Sequence, residues 1–168
     1  LTRLEEVGFD GAPSPVGLEP EGRERVRFIP GEVAVPPFPT WAQTDEALES
    51  TAALIRGLHD ASQLVDTSAM SWSTEMADPQ GGPVVCHNDV CLENVVFRQG
   101  RAVALLDFDF AAPGRRARCL DLPWELQREL TRHPGLQTTR SRVVPLLVTR
   151  WGLGACRHVS SSRPPETW

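Results

Sequence analysis

No lysine and no tyrosine occur in this chain of 168 residues, and all 17 basic residues are arginine. That removes every chemistry resting on a lysine amine, from Schiff-base catalysis to an ammonium gripping a phosphate. It also removes the lysine clusters with interleaved aromatics of many nucleic-acid surfaces, and with a net charge of −5 the sequence argues against a nucleic-acid partner. No apolar run approaches the roughly 20 residues of a membrane-spanning helix. The opening LTRLEEVGFD lacks the apolar centre of a signal peptide. These absences predict a cytoplasmic chain without a membrane partner. The four cysteines, at 86, 91, 119 and 156, form no CxxC pair. Cys86, His87 and Cys91 group loosely, but structural zinc takes tighter pairs and a fourth ligand, so reduced, half-buried thiols are expected.

The length suits one domain with a real core, and 40 % apolar with 23 % charged residues is ordinary globular composition. Charge is unevenly spread. Six arginines and no acid lie between Glu129 and Glu166, a basic tail on an acidic body. Residues 1–8 read as the end of a short helix. Two strands are predicted near 14–18 and 25–29, joined by the turn Glu19-Pro20-Glu21-Gly22. The proline-rich 29–40 cannot be helical and reads as a linker or hinge. Thr40 and Gln43 resemble a capping box, and Asp45 and Glu46 suit a helix start. Leu48, Thr51, Leu54, Ile55 and Leu58 then recur at helical spacing to about Val65, with His59 beside them as a packing or capping residue. Residues 66–82 read as a loop. Short strands follow at 83–86, 94–97 and 102–106, then a helix from Cys119 to about Thr131. The terminal SSRPPETW has the composition of a disordered segment.

The chemistry concentrates in VVCHNDVCLENVVFRQGRAVALLDFDF, residues 84–110. Its last two strands flank Arg98-Gln99-Gly100-Arg101, a β-hairpin signal. A turn centred on Gln99–Gly100 sets Asn94 opposite about Leu106. Asn94 and Asp107 then leave the hairpin together at its open end. Strands pair about 5 Å apart, so two hard oxygen donors there can share one Mg²⁺. Asp89 sits on the preceding loop, anchored by Val90, Leu92 and Val95, where a carboxylate can orient a hydroxyl and accept its proton. His87 is expected to brace this loop. Read singly, Asp89 could be a turn residue, Asn94 a strand-edge cap and Asp109 a solvated carboxylate. Arg115 and Arg116 read as a solvated loop, and Trp41 and Trp124 as packing residues.

HNDVCLEN resembles the kinase-type catalytic loop H-x-D-x₄-N, and LDFDF stands where the metal-binding D-F-G-like motif would be. With CHNDVCLENVVF, LLDFDFAAPGRR and CLDLPWEL, the texture is similar to the aminoglycoside phosphotransferase and choline kinase-like family of small-molecule phosphotransferases. GFDGAPSPVG, RVRFIPG and LIRGLHDAS extend the resemblance over roughly residues 1–130. It implies an α+β, protein-kinase-like fold, mainly the helical large lobe with a catalytic β-hairpin, plus a remnant of the small lobe. The implied layout is a small-lobe remnant at 1–30, a hinge at 31–40, the large lobe at 41–132 and a divergent C-terminal segment at 133–168. Implied roles are Asp89 as catalytic base, His87 as loop support, and Asn94 and Asp107, with Asp109 as a further candidate, as Mg²⁺ ligands. The backbone of Phe28, Ile29 and Gly31 would meet the base of ATP or GTP, and a hydroxyl-bearing small molecule would be the acceptor. The family's glycine-rich phosphate loop and its phosphate-gripping lysine have no match, so a chain lacking the start of the small lobe is expected. Beginning at Leu1, it reads as a piece of something longer. Two alternatives stay open: an inactive relative that binds nucleotide or a partner, and a metal-dependent hydrolase using Asp89, Asp107 and Asp109 on water.

Overall fold

The structure, a computed structural model, describes residues 1–116. The helix expected after Cys119, Trp124 and the tail 133–168 lie outside the described residues. Within them the fold is α+β, with two helices and three small antiparallel sheets. Helix α1 (Thr2–Glu6) buries Leu4. Strands β1 (Pro15–Leu18) and β2 (Glu24–Val26) form a two-stranded sheet close to the predicted positions.

The proline-rich segment is not a bare linker. It carries β3 (Glu32–Val33), which pairs with β5 (Val95–Arg98), the first strand of the hairpin. A one-residue approach makes this possible. A Cβ on Gly31 would lie 2.5 Å from Val96 Cγ1 and 2.6 Å from the Phe97 carbonyl oxygen, so only glycine lets the segment lie against β5. The Arg98 guanidinium closes the contact by donating to the Pro30 carbonyl at 2.9 Å. Gly31→Ala is therefore expected to destabilise the chain by about 1–3 kcal/mol through forced displacement of β3. A denaturant midpoint equal to that of wild type would show that the segment can move away freely.

Helix α2 (Asp45–Ser62) starts later than the Thr40–Gln43 pattern suggests. Thr40–Gln43 forms a 3₁₀ turn instead, and the cap is Thr44, whose hydroxyl accepts the Ala47 N–H at 3.1 Å. Asp45 and Glu46 occupy the first turn as expected. The helix ends at Ser62, three residues before Val65. Its buried positions are Ala47, Ser50, Leu58, His59 and Ser62, with Leu54 and Ile55 partly buried against the core. The inward face is thus rotated from the expected one, and Leu48 falls at its margin. Two serines explain the rotation. Ser50 accepts the Ala102 N–H at 2.9 Å, and Ser62 accepts the Val85 N–H at 2.9 Å. One helix face is thereby stitched to two sheets.

Those sheets are β4 (Val84–Cys86) paired with β7 (Ala112–Gly114), and β5 paired with both β3 and β6 (Arg101–Leu105). Leu4, Ala47, Leu58, Val95, Phe97 and Leu105 form the core, and Trp41 packs edge-on to Phe97 with ring centroids 5.3 Å apart. His59, 2 % exposed, has its pKa lowered from 6.5 to about 4, first by burial and then by the Arg116 guanidinium. Between those values only the unfolded chain takes up the proton, so stability is complete above pH 6.5 and falls as pH drops toward 4. Over the whole window the loss is roughly 3 kcal/mol. His59→Leu is expected to flatten this limb in urea melts; an unchanged slope would assign it to other groups.

Candidate active site

The hairpin turns at the predicted residues, and a bulge between the Phe97–Ala102 and Val96–Ala104 pairs shifts its register by one. Gln99 and Gly100 both take positive φ, 53° and 76°, as a two-residue turn matched to strand twist requires. Val95 then pairs with Leu105, and the Leu106 N–H donates to the Asn94 carbonyl at 2.8 Å. Asn94 itself closes a 3₁₀ turn, Leu92–Asn94, instead of opening the strand. The next residue after Leu106 is Asp107, exposed and in the left-handed region at φ 59°, which Asp tolerates better than most residues.

Asp89 and Asn94 meet directly. The Asn94 Nδ2 donates to Asp89 Oδ2 at 2.9 Å and to the Asp89 carbonyl at 3.0 Å. The carboxamide is thereby oriented, with its oxygen as the remaining acceptor. Val90 and Leu92 pack on the core and hold the loop between them. His87 is buried behind it, 1 % exposed. Its Nε2 lies 2.8 Å from the Leu106 carbonyl oxygen and its Nδ1 accepts the Asp89 N–H at 3.3 Å. Both contacts are satisfied by the neutral ring protonated on Nε2. Burial lowers the His87 pKa, which favours that form. The ring also packs on Phe108 with centroids 4.7 Å apart. One buried imidazole therefore touches the loop bearing Asp89 and the residues on both sides of Asp107.

The donor chemistry is of the kind that magnesium takes. Asp107 offers a carboxylate and Asn94 a carboxamide oxygen, both hard ligands, and Mg²⁺ is commonly held by one or two carboxylates with waters and phosphates completing its shell. Among the described residues no three or more His, Cys, Asp or Glu side chains cluster as a metal site. Asp109 is exposed, and its N–H approaches Asp107 Oδ1 at 3.4 Å. A cleft of about 720 Å³ opens beside these residues, with Leu4, Val26, Trp72, Leu106, Asp107 and Asp109 in its wall. Asp89, Asn94, Phe28, Ile29 and Gly31 are not among its lining residues. Phe28 is 80 % exposed, and the 28–31 backbone is joined to β5, not to the segment of Asp107.

Other expectations are corrected. Arg115 is an exposed loop residue as expected, but not an idle one: its guanidinium forks onto the buried Asp78, Nε to Oδ2 at 2.7 Å and Nη2 to Oδ1 at 3.1 Å. These bonds hold the Asp78 pKa down at about 2. Arg116 reaches Asp60 at 2.7 Å and Gln63 at 2.8 Å. Cys86 is disulfide-bonded rather than a thiol. Cys91 is a free, half-buried cysteine whose pKa burial raises to about 11, so it is protonated at neutral pH and ill-suited to metal binding. Sequence reasoning also missed Asn88. It adopts φ 68°, and its Nδ2 donates to the Phe110 carbonyl at 2.9 Å. The available signal was an Asn, tolerant of left-handed backbone, inside a loop.

No solved structure matches the chain. It is 37 % identical over 120 residues to the trifolitoxin immunity protein of Rhizobium leguminosarum bv. trifolii, a match covering 68 % of this chain and 44 % of that protein. The chain thus spans less than half the length of this curated relative. Residues 65–118, which hold the Asp89–Asn94 loop, the hairpin and Asp107, match the model of the phosphotransferase enzyme family. Over that segment the chain resembles the phosphotransferase enzyme family.

Proposed function

We propose that the chain transfers the γ-phosphoryl group of ATP or GTP to a hydroxyl of a small molecule. Residues 41–132 are read as the large lobe of a kinase-like fold, 1–30 as part of the small lobe, and 31–40 as the hinge whose Phe28–Gly31 flank meets the nucleotide base. The observation that carries the reading is the hydrogen bonding of Asp89 to Asn94 and of Asn94 to the residue preceding Asp107. It links the family's proton acceptor to both of its metal-ligand positions.

Asp89 accepts the proton of the acceptor hydroxyl as the oxygen forms its bond to the γ-phosphorus. The bond from that phosphorus to the β-phosphate oxygen breaks, and the nucleoside diphosphate leaves with the electron pair. Asn94 and Asp107 would hold Mg²⁺, with Asp109 as a further candidate ligand; bound there, the ion neutralises phosphate charge. His87 fixes the height of the Asp89 loop over the end of β6. Catalysis then rests on positioning and charge, without a covalent intermediate.

A second reading is favoured by the lack of any lysine. The chain would bind nucleotide or a partner without turnover, serving an immunity role like the one for which its relative is named. Incubation with γ-labelled ATP and Mg²⁺ across a panel of hydroxyl compounds separates the readings. Label on an acceptor supports phosphotransfer; nucleotide binding without transfer supports the second reading. Phosphate release without an acceptor would turn both aside for a metal-dependent hydrolase.

A further inference from the structure

The catalytic loop touches the Asp107 segment twice, from adjacent residues. His87 contacts the Leu106 carbonyl at 2.8 Å, and Asn88 donates to the Phe110 carbonyl at 2.9 Å. Asp107, Phe108 and Asp109 lie between these two anchors. On one side of the clamp, Leu106 is also held by the hairpin, through its N–H to Asn94. On the other side, Phe110 is reached from the loop by the Asn88 carboxamide. Asp107 is exposed, has a left-handed backbone and, among the described residues, its side chain makes only the long 3.4 Å contact to the Asp109 N–H. Its own side chain does little to fix it, so its position depends on the flanking anchors.

We infer that Asn88 is a positioning residue that holds the 107–110 segment where Asp107 and Asn94 can share one cation. This rests on the phosphotransfer reading above. Asn suits the task because it tolerates φ 68° while offering an N–H donor. Glycine would keep the backbone and lose the clamp; aspartate would keep the shape but present a carboxylate to the Phe110 carbonyl. A merely structural turn at residue 88 would therefore leave Asn88→Gly silent.

The test measures two quantities on the full chain, in wild type, Asn88→Gly and Asn88→Asp. The first is amide hydrogen exchange at Ala111, whose N–H donates to the Phe108 carbonyl at 2.9 Å. The second is affinity for Mn²⁺–ATP, Mn²⁺ serving as a spectroscopic probe for Mg²⁺. Loss of one hydrogen bond predicts about five- to tenfold faster exchange in Asn88→Gly, with a similar fold-loss of Mn²⁺–ATP affinity and an unchanged denaturation midpoint elsewhere. Asn88→Asp should lose at least as much. Unchanged exchange in Asn88→Gly overturns the clamp, and faster exchange with wild-type affinity overturns its role in placing the cation. A wild type that does not bind Mn²⁺–ATP overturns the phosphotransfer reading and the Asn88 role with it, a result distinct from loss confined to the variants.

Discussion

Asp89→Asn is expected to lower phosphoryl transfer by about 10²–10⁴-fold, the usual contribution of a positioned general base. Nucleotide affinity should change only severalfold. The choice of asparagine follows from the structure. Asp89 Oδ2 accepts a hydrogen bond from Asn94 Nδ2, and its N–H is accepted by His87. Asn at 89 retains a side-chain oxygen for Asn94, so the loop keeps its shape while the proton acceptor is lost. Asp89→Ala also removes turnover, but it frees the Asn94 carboxamide and so mixes loss of chemistry with loss of ligand orientation. Rate and affinity should be measured together for both variants. Wild-type turnover in Asp89→Asn would show that the proton goes elsewhere, and the mechanism would have to be abandoned.

Asp107→Asn is expected to act on binding itself. Asparagine accepts a left-handed backbone, so φ 59° brings no new strain. What disappears is the negative charge that would face the cation of the proposed site. Saturation at a hundred times the dissociation constant stabilises a folded chain by about 2.7 kcal/mol. For a chain of this size each kcal/mol moves Tm by about 2–4 °C. Wild type should show that Mg²⁺-dependent shift with ATP, and Asp107→Asn should not. A shift of the same size in the variant would remove Asp107 from the metal site. Absence of any shift in a cooperatively unfolding wild type would favour the partner-binding form of the second reading.

The two variants are informative as a pair because their residues stand on different elements. Asp89 belongs to the loop after β4 and Asp107 to the segment after β6, joined through Asn94, Leu106 and His87 and by the Asn88 contact to Phe110. Loss of turnover with binding intact, beside loss of binding, is the pattern that a hydroxyl-activating base and a metal ligand should give. A hydrolase using both carboxylates on one metal would lose binding in both variants.

Much of this arrangement was fixed by local sequence. The turn follows from Gln99–Gly100, which sets Arg98 against Arg101 and alone would bring Asn94 opposite Leu105. A bulge between the Phe97–Ala102 and Val96–Ala104 pairs shifts the register by one, and only then does Asn94 lie beside Leu106. The β4 strand and the anchoring by Val90, Leu92 and Val95 follow from apolar residues that must leave water. Tertiary structure decided what depended on partners distant in the chain. Helix α2 rotated because Ser50 and Ser62 were needed by backbone N–H groups of two strands, a demand that helical periodicity does not encode. Asp78 and Arg115 found each other across 37 residues, and Asn88 found the Phe110 carbonyl across 22. Gly31 became essential only when β5 lay against it. Backbone turns and apolar spacing act over a few residues and are written where they act. Polar satisfaction is a property of the assembled interior, where each buried donor takes whichever acceptor the fold has brought within reach.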